Sequence, residues 1–104
     1  MQLQQLRAFC EVAREQSFTR AARNLHYAQS SVTAQIQNLE VTVGVPLFHR
    51  GGRHVTLTEG GHSLLPYAER IIEVAEEARR RVTEAPRAPE RRAPRPYPTP
   101  SRAA

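Results

Sequence analysis

Apolar residues recur every three or four positions along residues 3–43, with polar residues between them. This spacing places the apolar side chains on one face of a helix, so it predicts helices that pack through one side. Ser17 suits the position before a helix, and Gly44 suits the position after one. The predicted helices cover residues 3–15, with Leu6, Phe9, Cys10 and Ala13 on the apolar face; about 18–25, with Ala21, Ala22 and Leu25; and about 29–43, with Val32, Ile36, Leu39 and Val43.

The spacing of the apolar residues changes from four to two after Pro46. Val55 and Leu57 alternate with polar neighbours, and the pair Gly51-Gly52 supplies a tight turn before them. The pattern predicts a two-stranded hairpin over about residues 47–58. Because an isolated hairpin is only marginally stable in water, we expect this one to pack against the helices.

A long helix is predicted over residues 59–83, with Thr58 as its capping residue. Its apolar residues step by four and three alternately, which is typical of a helix that pairs with another helix. At about 1.5 Å per residue the helix is roughly 37 Å long, more than so small a domain can cover, so we infer a second chain. Pro66 removes one amide donor and predicts a bend there. The predicted dimerisation residues are Leu64, Leu65, Ala68, Ile71, Ile72, Ala75, Ala78 and Val82.

The net charge of +5 is unevenly distributed. Residues 1–84 carry ten Arg and nine Glu, whereas residues 85–104 carry five Arg and one Glu. The last twenty residues also hold six of the eight prolines and only one large apolar side chain, so they predict a disordered, Pro/Arg-rich tail. A proline-rich ligand for an aromatic groove is the alternative interpretation of RPYPTP.

The remaining composition argues against several classes of protein. One cysteine cannot form a disulfide framework or a Cys-rich zinc site, and the four histidines lack ligand-like spacing, so we expect no metal and no cofactor. No run approaches the roughly 20 apolar residues of a membrane helix, and no signal peptide is evident, so we expect a cytoplasmic protein with no membrane partner. With no Asp and no convergent nucleophile and base, we do not expect an enzyme.

Two short helices joined by a three-residue turn, the second the longer, predict a helix-turn-helix, and the hairpin after them predicts a winged one. The third helix has a polar face opposite its apolar face, where amide and hydroxyl groups can hydrogen bond to base edges in the DNA major groove. The same side chains also suit an ordinary solvated surface. The candidate base-contacting residues are Gln29, Ser30, Thr33, Ala34 and Gln37; the candidate residues for the DNA backbone are Ser17, Thr19, Arg20, Ser31, Arg50 and Arg53.

Four short motifs support a resemblance to a known family. They are SFTRAA from Ser17, IQNLE from Ile36, GVPLF from Gly44 and LTEGG from Leu57. Over about residues 1–84 the chain resembles the N-terminal DNA-binding domain of LysR-type bacterial transcriptional regulators. The resemblance implies a mostly α-helical, dimeric winged helix-turn-helix protein of the bacterial nucleoid. In that family the helix-turn-helix corresponds to residues 18–37, the third helix contacts bases, the wing contacts the DNA backbone, and the long helices of two subunits pair antiparallel.

Three features depart from the pattern of that family. The third helix usually starts with Ser-Gln-Pro, whereas this chain has Ala28-Gln29-Ser30, so a side-chain cap is expected only if Ser30 or Ser31 supplies it. Ala34 stands where an arginine is frequent, which removes bidentate recognition of guanine from that position. Family members continue into a domain that senses a small molecule, and residues 85–104 do not resemble one, so we expect no effector-binding domain in this chain.

Two functions remain open on this basis. The chain is either a sequence-specific transcriptional regulator that binds a two-fold symmetric DNA site as a homodimer, or a truncated dimerisation module that pairs with a full-length relative and interferes with it. Both need the dimer, so DNA sequence preference distinguishes them.

Overall fold

The computed structural model describes residues 1–52 and 54–84. It confirms the prediction of a mostly α-helical, winged helix-turn-helix chain with a long helix after the wing. The predictions for the tail at residues 85–104 and for Arg53 lie outside the described residues. The elements in chain order are α1 (Leu3–Glu15), α2 (Phe18–Leu25), α3 (Gln29–Val43), β1 (Phe48–His49), β2 (Thr56–Leu57) and α4 (Glu59–Glu84).

The apolar faces of α1, α2 and α3 meet in one core, as their spacing predicts. The core also receives Phe48 from the wing, whose ring centroid lies 5.4 Å from that of Phe9 and 5.9 Å from that of Phe18. The wing therefore rests on the helices, as two such short strands require. The largest fully buried side chains are Phe9, Val12, Val32, Ile36, Leu39 and Leu47.

The two-stranded sheet is antiparallel, with Phe48 opposite Leu57 and His49 opposite Thr56. The strands are joined by a loop that includes Gly52 in the left-handed conformation, at a φ of 86°. Such a φ is easily adopted only by glycine, which explains the glycine at position 52.

The long helix α4 joins the core through its first half. Thr58 caps it, since its hydroxyl accepts a hydrogen bond from the amide of Gly61 at 3.0 Å. Ala68 is fully buried, whereas Leu64, Leu65 and Ile72 are partly buried against the same core. Ala68, one of the predicted dimerisation residues, is therefore enclosed by the core of its own chain. The helix is continuous through Pro66.

Candidate nucleic-acid interface

The helix α3, which the sequence predicts to contact bases, has two clearly different faces. Val32, Ile36 and Leu39 are fully buried on one of them. The predicted base-contacting residues lie away from these three, on the side of α3 that the chain leaves accessible. Gln29, Ser30, Ala34 and Gln37 are exposed, and Thr33 is partly buried.

The N-terminus of α3 has no capping side chain. Its N-cap residue is Ala28, and neither Ser30 nor Ser31 supplies the missing hydrogen bond. The Ala28 carbonyl accepts from the amides of Ser31 and Val32, at 3.0 and 3.2 Å. The amides of Gln29 and Ser30 are therefore left to water or to an external acceptor such as a phosphate oxygen.

The N-terminus of α2 is capped, in contrast to that of α3. The Ser17 hydroxyl accepts a hydrogen bond from the Arg20 amide at 3.0 Å, while the Arg20 side chain is exposed. Thr19, in the first turn of α2, donates its hydroxyl to Oε1 of Gln29 at 3.0 Å. The structure thus brings together two residues that the sequence assigned to different tasks, one to the DNA backbone and one to the bases.

On the wing, Arg50 is held by its own chain. Its guanidinium lies 3.3 Å from a carboxylate oxygen of Glu40 and 5.3 Å from the centre of the Phe18 ring. The positive charge of Arg50, which the sequence predicts to contact a phosphate, is therefore paired with an acidic side chain of α3. Glu40 was quoted in the IQNLE motif without a role, and its position at the wing is what the sequence analysis missed.

A second missed contact lies at the turn between α2 and α3. The amide of Gln4, in α1, donates to the hydroxyl of Tyr27 at 2.9 Å, and Tyr27 is 38% exposed. The spacing of apolar and polar residues could not indicate this pair, because the two residues lie 23 positions apart in the sequence.

The outer face of α4 carries a row of apolar side chains that the described part of the chain leaves exposed to a large extent. Tyr67, Ile71, Val74 and Val82 are 66%, 39%, 57% and 74% exposed, respectively. We call these four residues the outer stripe. Ile71 and Val82 are among the dimerisation residues predicted from the sequence, whereas Tyr67 and Val74 lie between the residues of the predicted seam.

Two titratable groups near α1 and α4 are perturbed. Burial, together with the negative charges of Glu69 and Glu11, raises the pKa of the Cys10 thiol to about 11. Hydrogen bonds from Arg7 and Arg79 lower the pKa of Glu76. The ion pair of Arg7 with Glu76 joins α1 to α4.

Within residues 1–52 and 54–84, no three His, Cys, Asp or Glu side chains are grouped as a metal site requires. Over the same part of the chain, no helix combines the length and the apolar character needed to cross a membrane.

Residues 3–62 match the family described as "Bacterial regulatory helix-turn-helix protein, lysR family". The chain belongs to the LysR family.

Similar proteins of known sequence are transcriptional regulators. The chain is 50% identical over 80 residues to the "Probable RuBisCO transcriptional regulator" of Synechocystis sp., covering 77% of this chain and 23% of that protein. It is 48% identical over 79 residues to the "Uncharacterized HTH-type transcriptional regulator YwqM" of Bacillus subtilis, covering 76% of this chain and 27% of that protein. The chain thus spans about a quarter of the length of these relatives.

Two similar solved structures contain DNA. The DNA-binding domain of CbnR in complex with DNA superposes with a TM-score of 0.77 and 39% identity, covering 84% of this chain and 100% of that one. The DNA-binding domain of BenM with benA site 1 DNA gives a TM-score of 0.75 and 40% identity, covering 80% and 96%. The chain is therefore a LysR-type DNA-binding transcriptional regulator domain, and its relatives are regulators rather than enzymes.

Proposed function

We propose that this domain binds a two-fold symmetric DNA site as a homodimer in the bacterial cytoplasm, on the nucleoid, and distinguishes sequences through α3. The observation that carries the proposal is the exposed polar face of α3 opposite its fully buried apolar face. Domains of the same fold at 39% and 40% identity have been solved in complex with DNA. Because position 34 is an alanine and not an arginine, the amide and hydroxyl groups of α3 have to provide base recognition.

Three polar side chains of α3 can each make a defined contact with a base. The amides of Gln29 and Gln37 can hydrogen bond to a purine edge, and Thr33 can place its methyl group against that of thymine. Ser30 and Ala34 approach the groove without offering a bidentate contact. We assign the phosphate contacts to three residues at or near the N-termini of α2 and α3, namely Ser17, Arg20 and Ser31, and propose the same role for Arg53.

Arg50 is a weaker phosphate ligand than its sequence suggests. To bind a phosphate it has to leave or share the carboxylate of Glu40, 3.3 Å away. We therefore assign Arg50 first to the attachment of the wing to α3.

Site selection from a random duplex library at near-physiological salt tests base recognition. The proposal predicts a palindromic motif whose half-sites lie about one helical turn, roughly 34 Å, apart. Thr33→Ala and Gln37→Ala should each relax the motif at different positions, whereas Val41→Ala, an exposed change on the same helix, should leave it unchanged. Enrichment of no motif would reject sequence-specific binding.

The outer stripe of α4 supports the proposed dimer. Three β-branched side chains and a tyrosine on one helix face expose apolar surface that a second copy of the same helix can cover. The other predicted dimerisation residues border this face or the core side of α4. We keep them as secondary contacts: they are Leu64, Leu65, Ile72, Ala75 and Ala78. Ala68 is left out because it is fully buried.

Sedimentation velocity at micromolar concentration tests the dimer. Ile71→Arg and Val74→Arg should each shift the chain to the monomer, because each places a charge in the paired apolar surface. Glu73→Arg is the matched control, since Glu73 lines a groove beside Cys10 and Ile72 instead of the outer stripe. An unchanged sedimentation coefficient in both stripe variants would reject this face as the dimer contact.

The alternative function is interference with a full-length relative. It is favoured by one observation, the combination of an intact outer stripe with an α3 that has no side-chain cap and no arginine at Ala34. Pairing of the tagged chain with a co-expressed full-length relative, together with equal binding to all DNA sequences, would support this alternative over the regulator.

A further inference from the structure

The hydrogen bond from Thr19 to Gln29 joins the N-terminal turns of α2 and α3 on their solvent side. The Thr19 hydroxyl donates to Oε1 of Gln29 at 3.0 Å, and both side chains are exposed. Neither residue contributes to the core. The contact therefore has no evident role in holding the fold together, and its effect is on the orientation of the glutamine side chain.

A glutamine side chain can present either its oxygen or its nitrogen to a partner, because rotation of the terminal amide exchanges the two. With Oε1 engaged by a hydroxyl donor, the two hydrogens of Nε2 remain available. Gln29 is the first residue of α3, and no capping side chain restrains that end of the helix. The only side chain that orders the amide among the described residues is Thr19.

We propose that Thr19 is a positioning residue for base recognition: it holds the Gln29 amide so that Nε2 donates to an acceptor on a base edge. The proposal rests on the proposed function, because it requires that Gln29 lies in the major groove. It replaces the assignment of Thr19 to the DNA backbone. Its ligand is a base with a major-groove acceptor, namely guanine, adenine or thymine, whereas the N4 donor of cytosine is disfavoured.

Binding isotherms of four variants test the role of Thr19. They are measured on the duplex selected by the wild-type chain and on a panel in which each base pair is changed in turn. Thr19→Val removes the hydroxyl with little change of shape, whereas Thr19→Ser keeps it. Gln29→Ala removes the amide, and the double variant, Thr19→Val with Gln29→Ala, removes both groups.

We expect Thr19→Val to reduce the sequence preference by about fivefold, the size of one net hydrogen bond, at the base pair where Gln29→Ala relaxes it. Preference at the other base pairs should stay as in the wild type. Thr19→Ser should behave as the wild type, and the double variant should match Gln29→Ala alone, because the hydroxyl acts only through the amide. Thr42→Val is the control, since the Thr42 hydroxyl donates to Asn38 within α3.

Two outcomes would overturn the proposal in distinguishable ways. If Thr19→Val weakened binding to every sequence equally, and its loss added to that of Gln29→Ala, Thr19 would be a phosphate contact and not a positioning residue. If the wild-type chain itself showed no preference across the panel, the proposed function would fail, and this proposal with it.

Discussion

The carboxylate of Glu40, in α3, accepts a hydrogen bond from the backbone amide of Leu47, next to β1, at 2.8 Å. The same carboxylate pairs with Arg50 at the end of that strand. One side chain therefore joins α3 to both ends of β1. Because the wing and α3 are expected to contact the same DNA, this link also fixes how far apart their contacts lie.

Removal of this link should destabilise the domain. Glu40→Ala leaves the amide of Leu47 without its acceptor, so we expect the free energy of unfolding to fall by about 2 kcal/mol. Urea denaturation measures the change. Glu77→Ala is the control, since Glu77 is half-exposed and pairs loosely with Arg81, at 3.4 Å; it should change stability by less than about 0.5 kcal/mol. Equal effects of the two variants would contradict the role given to Glu40.

The close contact of α4 with the wing depends on Gly61. A Cβ at this position would lie 2.3 Å from the carbonyl oxygen of Leu47 and 2.7 Å from Cδ2 of Leu57. Backbone cannot yield as a side-chain tip can, so Gly61→Ala should cost about 2 kcal/mol or more of stability. Gly51→Ala, where a Cβ meets nothing within 4 Å, should be nearly neutral by the same thermal or urea measurement. A Gly61→Ala domain as stable as the wild type would show that α4 can move away from the wing.

A capping side chain at the start of α3 should stabilise the domain. Ala28 has the extended backbone of an N-cap residue, with φ −68° and ψ 148°, but no side chain that can accept a hydrogen bond. Ala28→Ser should therefore raise the free energy of unfolding by about 1 kcal/mol. Ala34→Ser, in the exposed interior of the same helix, should not stabilise, because serine is a poorer helix former than alanine. A loss of stability in Ala28→Ser would contradict the cap geometry.

The Cys10 thiol should react slowly in the folded protein. With its pKa raised to about 11 from an ordinary value of 9.0, its thiolate population at pH 8 falls about a hundredfold, partly offset by the greater nucleophilicity of a more basic thiolate. Alkylation by iodoacetamide at pH 8 should be about tenfold slower than in urea and should keep rising above pH 9. A rate that levels off near pH 9 would show that the thiol is not perturbed.

The same pKa shift has a consequence for stability. The folded state holds the Cys10 proton more tightly than the unfolded chain does. The resulting contribution to the free energy of unfolding is present below about pH 9 and is lost as the pH rises towards 11.

The helices and the wing could be predicted from the sequence because each depends on a local pattern. Intervals of three and four placed α1 and α3 correctly, and the glycine pair with an interval of two indicated the hairpin. The caps by Ser17 and Thr58 were likewise local, since a hydroxyl before a helix bonds to an amide three residues later.

The candidate site was less predictable because its contacts join separate elements. Spacing showed that α4 carries an apolar surface but could not separate the part that faces α1, such as Ala68, from the outer stripe with Tyr67 and Val74. The ion pair of Arg50 with Glu40 depends on the distance between the wing and α3, which no interval in the sequence specifies. The contacts and the exposure of these residues are therefore visible only in the packing.

The claim that α3 distinguishes DNA sequences is tested most directly by fluorescence anisotropy at near-physiological salt. The purified chain is titrated into the DNA immediately upstream of its own gene and into a scrambled duplex of equal length. The account predicts a preference of about a hundredfold or more for the upstream DNA, a threshold set below the roughly thousandfold at which specific protein–DNA recognition typically begins. Equal, salt-sensitive binding to both duplexes would mean that the chain contacts phosphates alone, and would contradict the account.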